Sequence, residues 1–134
     1  MKKLHQGGCH CGAVRFECQL DPAEATSRCD CSMCAKGRFW KAIVRKEDFR
    51  ILQGESELND YQFASRTIHH LFCRHCGIKP FGRGHLEQLG GTFYAVNVAC
   101  LDDVPDAALA AAKVRFENGR DNKWEESPTE TRHL

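Results

Sequence analysis

Seven of the nine cysteines in this 134-residue chain fall into three short clusters that could hold metal ions. The clusters are Cys-x-Cys at Cys9 and Cys11, Cys-x-Cys-x-x-Cys at Cys29, Cys31 and Cys34, and Cys-x-x-Cys-Gly at Cys73 and Cys76. Thiolates are zinc ligands, and cysteines one or two residues apart are typical of zinc sites. The same residue type also supports disulfide bonding and thiol redox chemistry, so the spacing must decide among three kinds of site.

The Cys-x-Cys spacing favours metal over disulfides. Extended residues two apart place their α-carbons about 6.5 Å apart, at the far edge of disulfide tolerance. An odd number of cysteines also fits complete pairing poorly. A zinc ion needs only that separate sulfurs point inward to bonds of about 2.3 Å. Gly12 and Gly77 each follow a cysteine pair, where a residue without a Cβ lets the backbone curl and aim its amides at thiolates.

Two partitions of the cysteines into metal sites are open. Four thiolates close a structural zinc site, and three protein ligands leave a position open, as in catalytic zinc sites. One partition joins Cys9 and Cys11 to Cys73 and Cys76 and leaves the trio Cys29, Cys31 and Cys34. Spacing also permits Cys9 and Cys11 to pair with the trio. The trio could instead form a second closed, structural site with a fourth ligand from His10, His69, His75, His85 or Cys100.

Composition and charge limit the compartment and the partners. The opening MKKLHQGG has no apolar run, and no stretch is long enough for a membrane span. We therefore expect a cytoplasmic protein, in which clustered thiols are ligands or catalysts more often than disulfides. The 19 Lys and Arg residues balance 18 Asp and Glu residues. A net charge of +1 gives no reason to expect a nucleic acid or a membrane surface as a partner.

The secondary-structure elements that must position these cysteines indicate one β domain over residues 1–134. Alternating, β-branched and aromatic runs predict strands over 13–18, 39–44, 57–63, 67–73 and 92–99. We expect one helical turn at 46–49, a turn at 80–84, a helix over 102–113 capped by Asp103, and a last strand over 113–119. Trp124 is expected to cover an edge of the core. The pattern predicts a mainly β fold of antiparallel sheets with little helix.

Four segments carry a family resemblance: GGCHCGAVRF, CDCSMCAKG, HHLFCRHCGIKPFGRG and FYAVNVACLDD. From about residue 7 to 103, with all seven clustered cysteines in register, the chain resembles the glutathione-dependent formaldehyde-activating enzymes, a family that includes the centromere protein V group. The resemblance implies a β-tent fold with two zinc ions. It implies a structural zinc at Cys9, Cys11, Cys73 and Cys76, and a catalytic zinc at Cys29, Cys31 and Cys34.

The resemblance also implies a reaction. Family members join glutathione to formaldehyde, giving S-hydroxymethylglutathione, and are carbon–sulfur lyases. The implied partner is a small-molecule thiol or thiol–aldehyde adduct, for which glutathione is one candidate. Zinc with three thiolates is formally −1, so nearby cations should help to bind an anionic thiol. The candidate substrate-binding residues are Lys36, Arg38, Lys41 and Arg83.

Less specific interpretations stand beside these. Both metals could be structural, in a zinc-stapled module that binds another protein. A third interpretation, a redox role like that of methionine sulfoxide reductase B, is less favoured because thiols held by zinc are poor redox nucleophiles. Cys18 and Cys100 are expected to be packing residues. His69 and His70 are neighbours in a strand and must face opposite ways, so at most one can approach a given site.

Overall fold

The computed structural model describes residues 1–134 and is mainly β, as predicted. Its strands are β1 (Lys3–Gly8), β2 (Arg15–Leu20), β3 (Thr26–Cys29), β4 (Lys41–Arg45), β5 (Phe49–Gln53), β6 (Leu58–Tyr61), β7 (Ile68–Cys73), β8 (Phe81–Leu86), β9 (Gly91–Asn97) and β10 (Val114–Glu117). Its α-helices are α1 (Ser32–Gly37) and α2 (Asp106–Ala110). Single 3-10 turns cover Lys46–Asp48, Glu55–Glu57, Glu87–Leu89 and Val98–Cys100.

Two sheets make up the fold. The small sheet has the order β1-β2-β5, and the large sheet has the order β10-β3-β4-β9-β8-β7-β6. Neighbouring strands are antiparallel, except that β10 runs parallel to β3 at one edge of the large sheet. The predicted β-tent class of antiparallel sheets with little helix is confirmed. None of the helices has the length and apolar character that a bilayer crossing requires.

An aromatic cluster joins the two sheets. Phe16 of β2 and Phe49 of β5 come from the small sheet, and Phe81 of β8 and Tyr94 of β9 come from the large one. Phe49 stacks on Tyr94 with ring centroids 3.9 Å apart, and Phe16 meets Phe81 edge-on at 5.6 Å. Burial of such rings is the main apolar contribution to stability. Cys18 is buried in the same core, as predicted.

The strand register assigns the large sheet two faces. Paired residues share a face, and successive residues alternate. Phe81 pairs with Val96, and this inner face packs on the small sheet. Gly82 pairs with Ala95 on the opposite, outer face. Following the ladders, the outer face also presents His70 of β7, Lys41 and Asn97 of β4 and β9, and Cys29 and Glu117 of β3 and β10.

Several elements differ from the sequence predictions. β1, β3, β5 and α1 have no counterpart among them, and residues 80–84 are not a turn but run into β8. The helix is shorter than 102–113, and Pro105, not Asp103, is its N-cap. Asp103 is used elsewhere, because its carboxylate accepts a hydrogen bond of 2.9 Å from the Gln6 backbone amide of β1.

Because of the close backbone contacts at Gly7, we predict that a larger residue there destabilises the fold. A Cβ at Gly7 would lie 2.3 Å from the carbonyl oxygen of Cys100, whereas a Cβ at Gly37 would have nothing within 4 Å. We expect Gly7→Ala to lower the free energy of unfolding by about 1–3 kcal/mol, because the chain must shift to relieve the overlap. Gly37→Ala is the matched control and should leave it unchanged or slightly higher. Urea unfolding of the metal-loaded proteins measures both, and coincident curves would contradict the packing at Gly7.

Candidate metal centres

The first metal centre is the four-cysteine cluster, made of Cys9, Cys11, Cys73 and Cys76. Its four sulfurs all lie within 4.8 Å of one another. The Sγ–Sγ distance is 3.7 Å both from Cys9 to Cys11 and from Cys11 to Cys73. Tetrahedral zinc with bonds of about 2.3 Å places its sulfurs about 3.8 Å apart. The donor set and its spacing therefore suit a zinc ion.

Two similar turns supply these sulfurs. Between β1 and β2, the Cys9 amide donates to the carbonyl of Val14 at 3.1 Å, and between β7 and β8 the Cys73 amide donates to the carbonyl of Ile78 at 2.9 Å. Each turn closes through a glycine in the left-handed region, Gly12 at φ 86° and Gly77 at φ 78°. A residue with a Cβ is strained there, so the glycines noted in the sequence let the chain fold back around the sulfurs.

Backbone amides in these turns point at sulfur. The Val14 amide donates to Cys9 Sγ at 3.3 Å, and the His75 amide donates to Cys73 Sγ at 3.4 Å. The pKa of Cys76 is lowered to about 6 because the Ile78 amide, and then the Cys11 amide, donate to its sulfur. Donors of this kind stabilise thiolates over thiols. The turns therefore favour the charge state that a metal requires.

The second centre is the three-cysteine cluster, made of Cys29, Cys31 and Cys34. Cys29 ends β3, Cys31 is the N-cap of α1, and Cys34 lies within α1. Their sulfurs also lie within 4.8 Å of one another. The Cys31 amide donates to Cys29 Sγ at 3.3 Å, and the Cys34 amide donates to Cys31 Sγ at 3.4 Å. Cys29 is buried, while Cys31 and Cys34 are half-buried, so one side of this cluster is open.

The three thiols do not share their protons equally. The pKa of Cys31 is lowered to about 2, chiefly because the Cys29 and Cys34 thiols donate hydrogen bonds to its thiolate. The pKa of Cys29 is raised by its hydrogen bond to Cys31. The pKa of Cys34 is raised by its hydrogen bonds to Cys29 and Cys31. Hydrogen bonds among the three thiols thus favour negative charge at Cys31, an arrangement that a bound cation would complete.

The placement of the cysteines bears on the alternatives that spacing left open. Cys9 and Cys11 join Cys73 and Cys76, not the trio, and no fourth His, Cys, Asp or Glu ligand atom joins the trio. Four of the five candidate fourth ligands contact other groups: His69 with Asp60, His75 with Glu57, His85 with Thr92, and Cys100 with the Lys79 carbonyl. Cys100 is buried, as expected of a packing residue.

The four predicted substrate-binding cations are not brought together. Lys41 lies on the outer face but is ion-paired with the buried Glu117. Arg38 follows α1 and donates to the Leu134 carbonyl at 3.3 Å, while Lys36 is exposed at the end of α1. Arg83 pairs with Tyr94 in the β8–β9 ladder and therefore lies on the inner face. The strand alternation of β8 thus places Arg83 away from the three-cysteine cluster.

Two groups on the outer face were not predicted as site residues. Lys79 Nζ donates to His70 Nδ1 at 2.7 Å and lies 4.1 Å from the ring centroid of Phe39. Burial, and then Lys79, lower the pKa of His70 to about 4, so the imidazole is a neutral acceptor. Burial lowers the pKa of Lys79 to about 8, while the electrostatic influence of Cys34 and Cys31 acts in the opposite direction.

Aromatic rings and the C-terminal segment border this site. Phe63 stacks on His70 with centroids 5.5 Å apart, and Tyr61 stacks on Phe63 at 5.8 Å. On the other side, a Cβ at Gly119 would lie 2.5 Å from Cys29 Sγ and 2.6 Å from the Trp124 ring. Trp124 therefore lies beside Cys29. Of the adjacent residues His69 and His70, it is His70 that faces this site. Strand alternation predicted that at most one of the two could approach it.

Comparisons with known proteins agree with this geometry. The family model described as "Glutathione-dependent formaldehyde-activating enzyme" matches residues 4–130. The fold is also similar to the crystal structure of a Rhodobacter sphaeroides protein, with a TM-score of 0.69 and 38% sequence identity, covering 83% of this chain and 98% of that one. With a match over nearly its whole length, the chain belongs to the glutathione-dependent formaldehyde-activating enzyme family.

Proposed function

We propose that the protein is a zinc-dependent carbon–sulfur lyase-type enzyme that joins a small thiol to formaldehyde and cleaves the adduct in reverse. The observation that carries this proposal is the difference between the two clusters. One offers four sulfurs, and the other offers three on a partly open surface. Four thiolates saturate zinc, whereas three leave a position for a substrate. We also propose that the chain acts as one domain in the cytoplasm, where its free thiols stay reduced.

Zinc held by Cys29, Cys31 and Cys34 would stabilise an incoming thiol as its thiolate, the form that attacks an aldehyde carbon. The chain itself supplies the surroundings. Backbone amides of Cys31 and Cys34 hold two of the sulfurs in place. Lys41 is held beside them by its ion pair with Glu117. Of the four predicted substrate-binding cations, Lys36 and Arg38 at the end of α1 are the ones left to bind the carboxylates of an anionic thiol such as glutathione.

A zinc-stapled binding module is the competing function, and metal lability separates the two. We expect two zinc ions per chain, one removed quickly by a chelator and protected by added thiol, and one held tightly. The physical reason is that an open site exchanges through its free position, whereas a saturated one does not. Zinc release monitored with a colorimetric chelator measures both rates. Two equally inert ions would favour the binding module.

The two clusters should differ in what their loss does to the fold. We expect Cys73→Ser to unfold much of the protein, because a structural zinc contributes on the order of 10 kcal/mol of apparent binding free energy in small metal-dependent folds. Cys31→Ser should keep the fold, since the trio borders the sheet edge and does not link the sheets. Circular dichroism and soluble yield measure the difference. Equal loss of folded protein in both variants would contradict this division.

Catalysis is tested by the rate at which carbon-13 formaldehyde exchanges with its thiol adduct. The wild-type protein should raise this rate above the uncatalysed one, and Cys31→Ser should return it to the uncatalysed rate while retaining the fold. Cys18→Ala, in the core and outside both clusters, is the control and should retain the activity. Comparing glutathione with cysteamine and 2-mercaptoethanol identifies the preferred thiol. Failure of the wild type to accelerate exchange with any of them would refute the proposed function.

A further inference from the structure

Lys79 differs from Lys41, the other half-buried lysine near the three-cysteine cluster, in having no carboxylate partner. Both lysines act on Cys34 by their charge. Lys41 has Glu117 as its carboxylate partner, which it shares with Arg115. Among the ion pairs of the structure, none includes Lys79, although its side chain is half-buried. A buried ammonium is costly without a compensating partner. The Lys79 ammonium is therefore left to interact with the three-cysteine cluster and with whatever binds beside it.

The neighbours of Lys79 hold its ammonium in one place and leave donors free. His70 Nδ1 accepts one N–H at 2.7 Å, and the Phe39 ring lies 4.1 Å from Nζ. Phe39 is itself tied to the cluster, because its amide donates to the Cys34 carbonyl at 3.1 Å. A lysine ammonium has three donors, and the protein provides one acceptor for them. Two N–H groups thus remain for a ligand at the outer face.

We propose that Lys79 is a catalytic residue that donates a hydrogen bond from Nζ to the oxygen of the aldehyde or of the thiol adduct, and that His70 is its positioning residue. This inference rests on the proposed function. A small adduct can bring its oxygen within hydrogen-bond distance of Lys79 Nζ, a half-buried donor that is held in one place. The bulkier carboxylates of an anionic thiol would instead meet the exposed cations Lys36 and Arg38.

The step balances without an oxidant or reductant. The thiolate electron pair forms the S–C bond, and the C=O π pair moves to the oxygen, whose growing charge is stabilised by the Lys79 N–H. The oxygen then takes a proton from Lys79, which regains one from water, while the thiol proton has left to water. One S–H and one C=O are consumed, and one S–C and one O–H are formed. In reverse, the Lys79 amine accepts the hydroxyl proton.

The contacts of His70 suit a positioning residue, which acts on the substrate only through Lys79. Its neutral imidazole can accept from Lys79, and its ring is stacked on Phe63 at 5.5 Å. Its other neighbours on the outer face are Gly82, paired with it in the β7–β8 ladder, and Tyr61 of β6. The ring is therefore fixed on several sides. Replacing it by phenylalanine keeps the stacking and removes only the acceptor.

Binding of two simple thiols to the zinc-loaded protein tests the proposal by calorimetry. 2-Mercaptoethanol carries a hydroxyl near its sulfur, as the adduct does, and ethanethiol does not. We expect Lys79→Met to weaken 2-mercaptoethanol binding by about tenfold, the effect of losing one charge-assisted hydrogen bond, and to leave ethanethiol binding unchanged. His70→Phe should weaken 2-mercaptoethanol binding in the same direction, by a smaller factor. Lys46→Met, at an exposed lysine outside both clusters, is the control.

Each result decides the proposal. Equal weakening of both thiols by Lys79→Met would show a general charge effect and overturn the assignment. If Lys79→Met loses zinc or unfolds, His70→Phe decides, because it leaves the lysine in place; wild-type affinity for 2-mercaptoethanol in that variant would overturn the inference. Absence of thiol binding to the wild type would refute the proposed function together with this inference. Thiol binding without hydroxyl dependence would refute the inference alone.

Discussion

The convergence of four sulfurs from two distant turns is the constraint on which the rest of the molecule depends. One turn joins two strands of the small sheet, and the other joins two strands of the large sheet. A metal bound there links the sheets at one end, while the aromatic cluster around Phe16 and Phe81 joins them through the core. Two independent links of this kind fix how the sheets are oriented, and the outer face of the large sheet is left free for chemistry.

The chemistry of the outer face depends on unequal pairing of its charges. Lys41 and Arg115 share Glu117 as their carboxylate partner at the edge formed by β3, β4 and β10. Lys79 has a neutral histidine in place of a carboxylate. A low-dielectric site strengthens whatever electrostatic interaction is left uncompensated. The thiolates and the Lys79 ammonium are thus the opposed charges around any small molecule that enters.

Sequence spacing predicted the three short cysteine clusters, because metal ligands in tight turns are close in the chain and leave a local pattern. It left open which clusters lie together, since that depends on the fold. It also predicted that His69 and His70 diverge, since alternation is a property of any strand. It missed β8, where glycines replace the β-branched residues that usually mark strands. For the same reason Arg83 seemed to lie beside the cluster. Lys79 and Phe39 could not be found, because their contact arises from the fold of segments far apart in sequence.

The parallel pairing of β10 with β3 has a consequence for biosynthesis. The last strand of the chain lies beside the first cysteine of the trio, and Gly119 and Trp124 close around that sulfur. During synthesis, Cys29, Cys31 and Cys34 emerge from the ribosome long before Gly119 and Trp124, the residues that flank them in the fold. Assembly of the reactive pocket is thereby deferred until β10 and Trp124 have been made, whereas the quartet of sulfurs can meet as soon as β8 has been made.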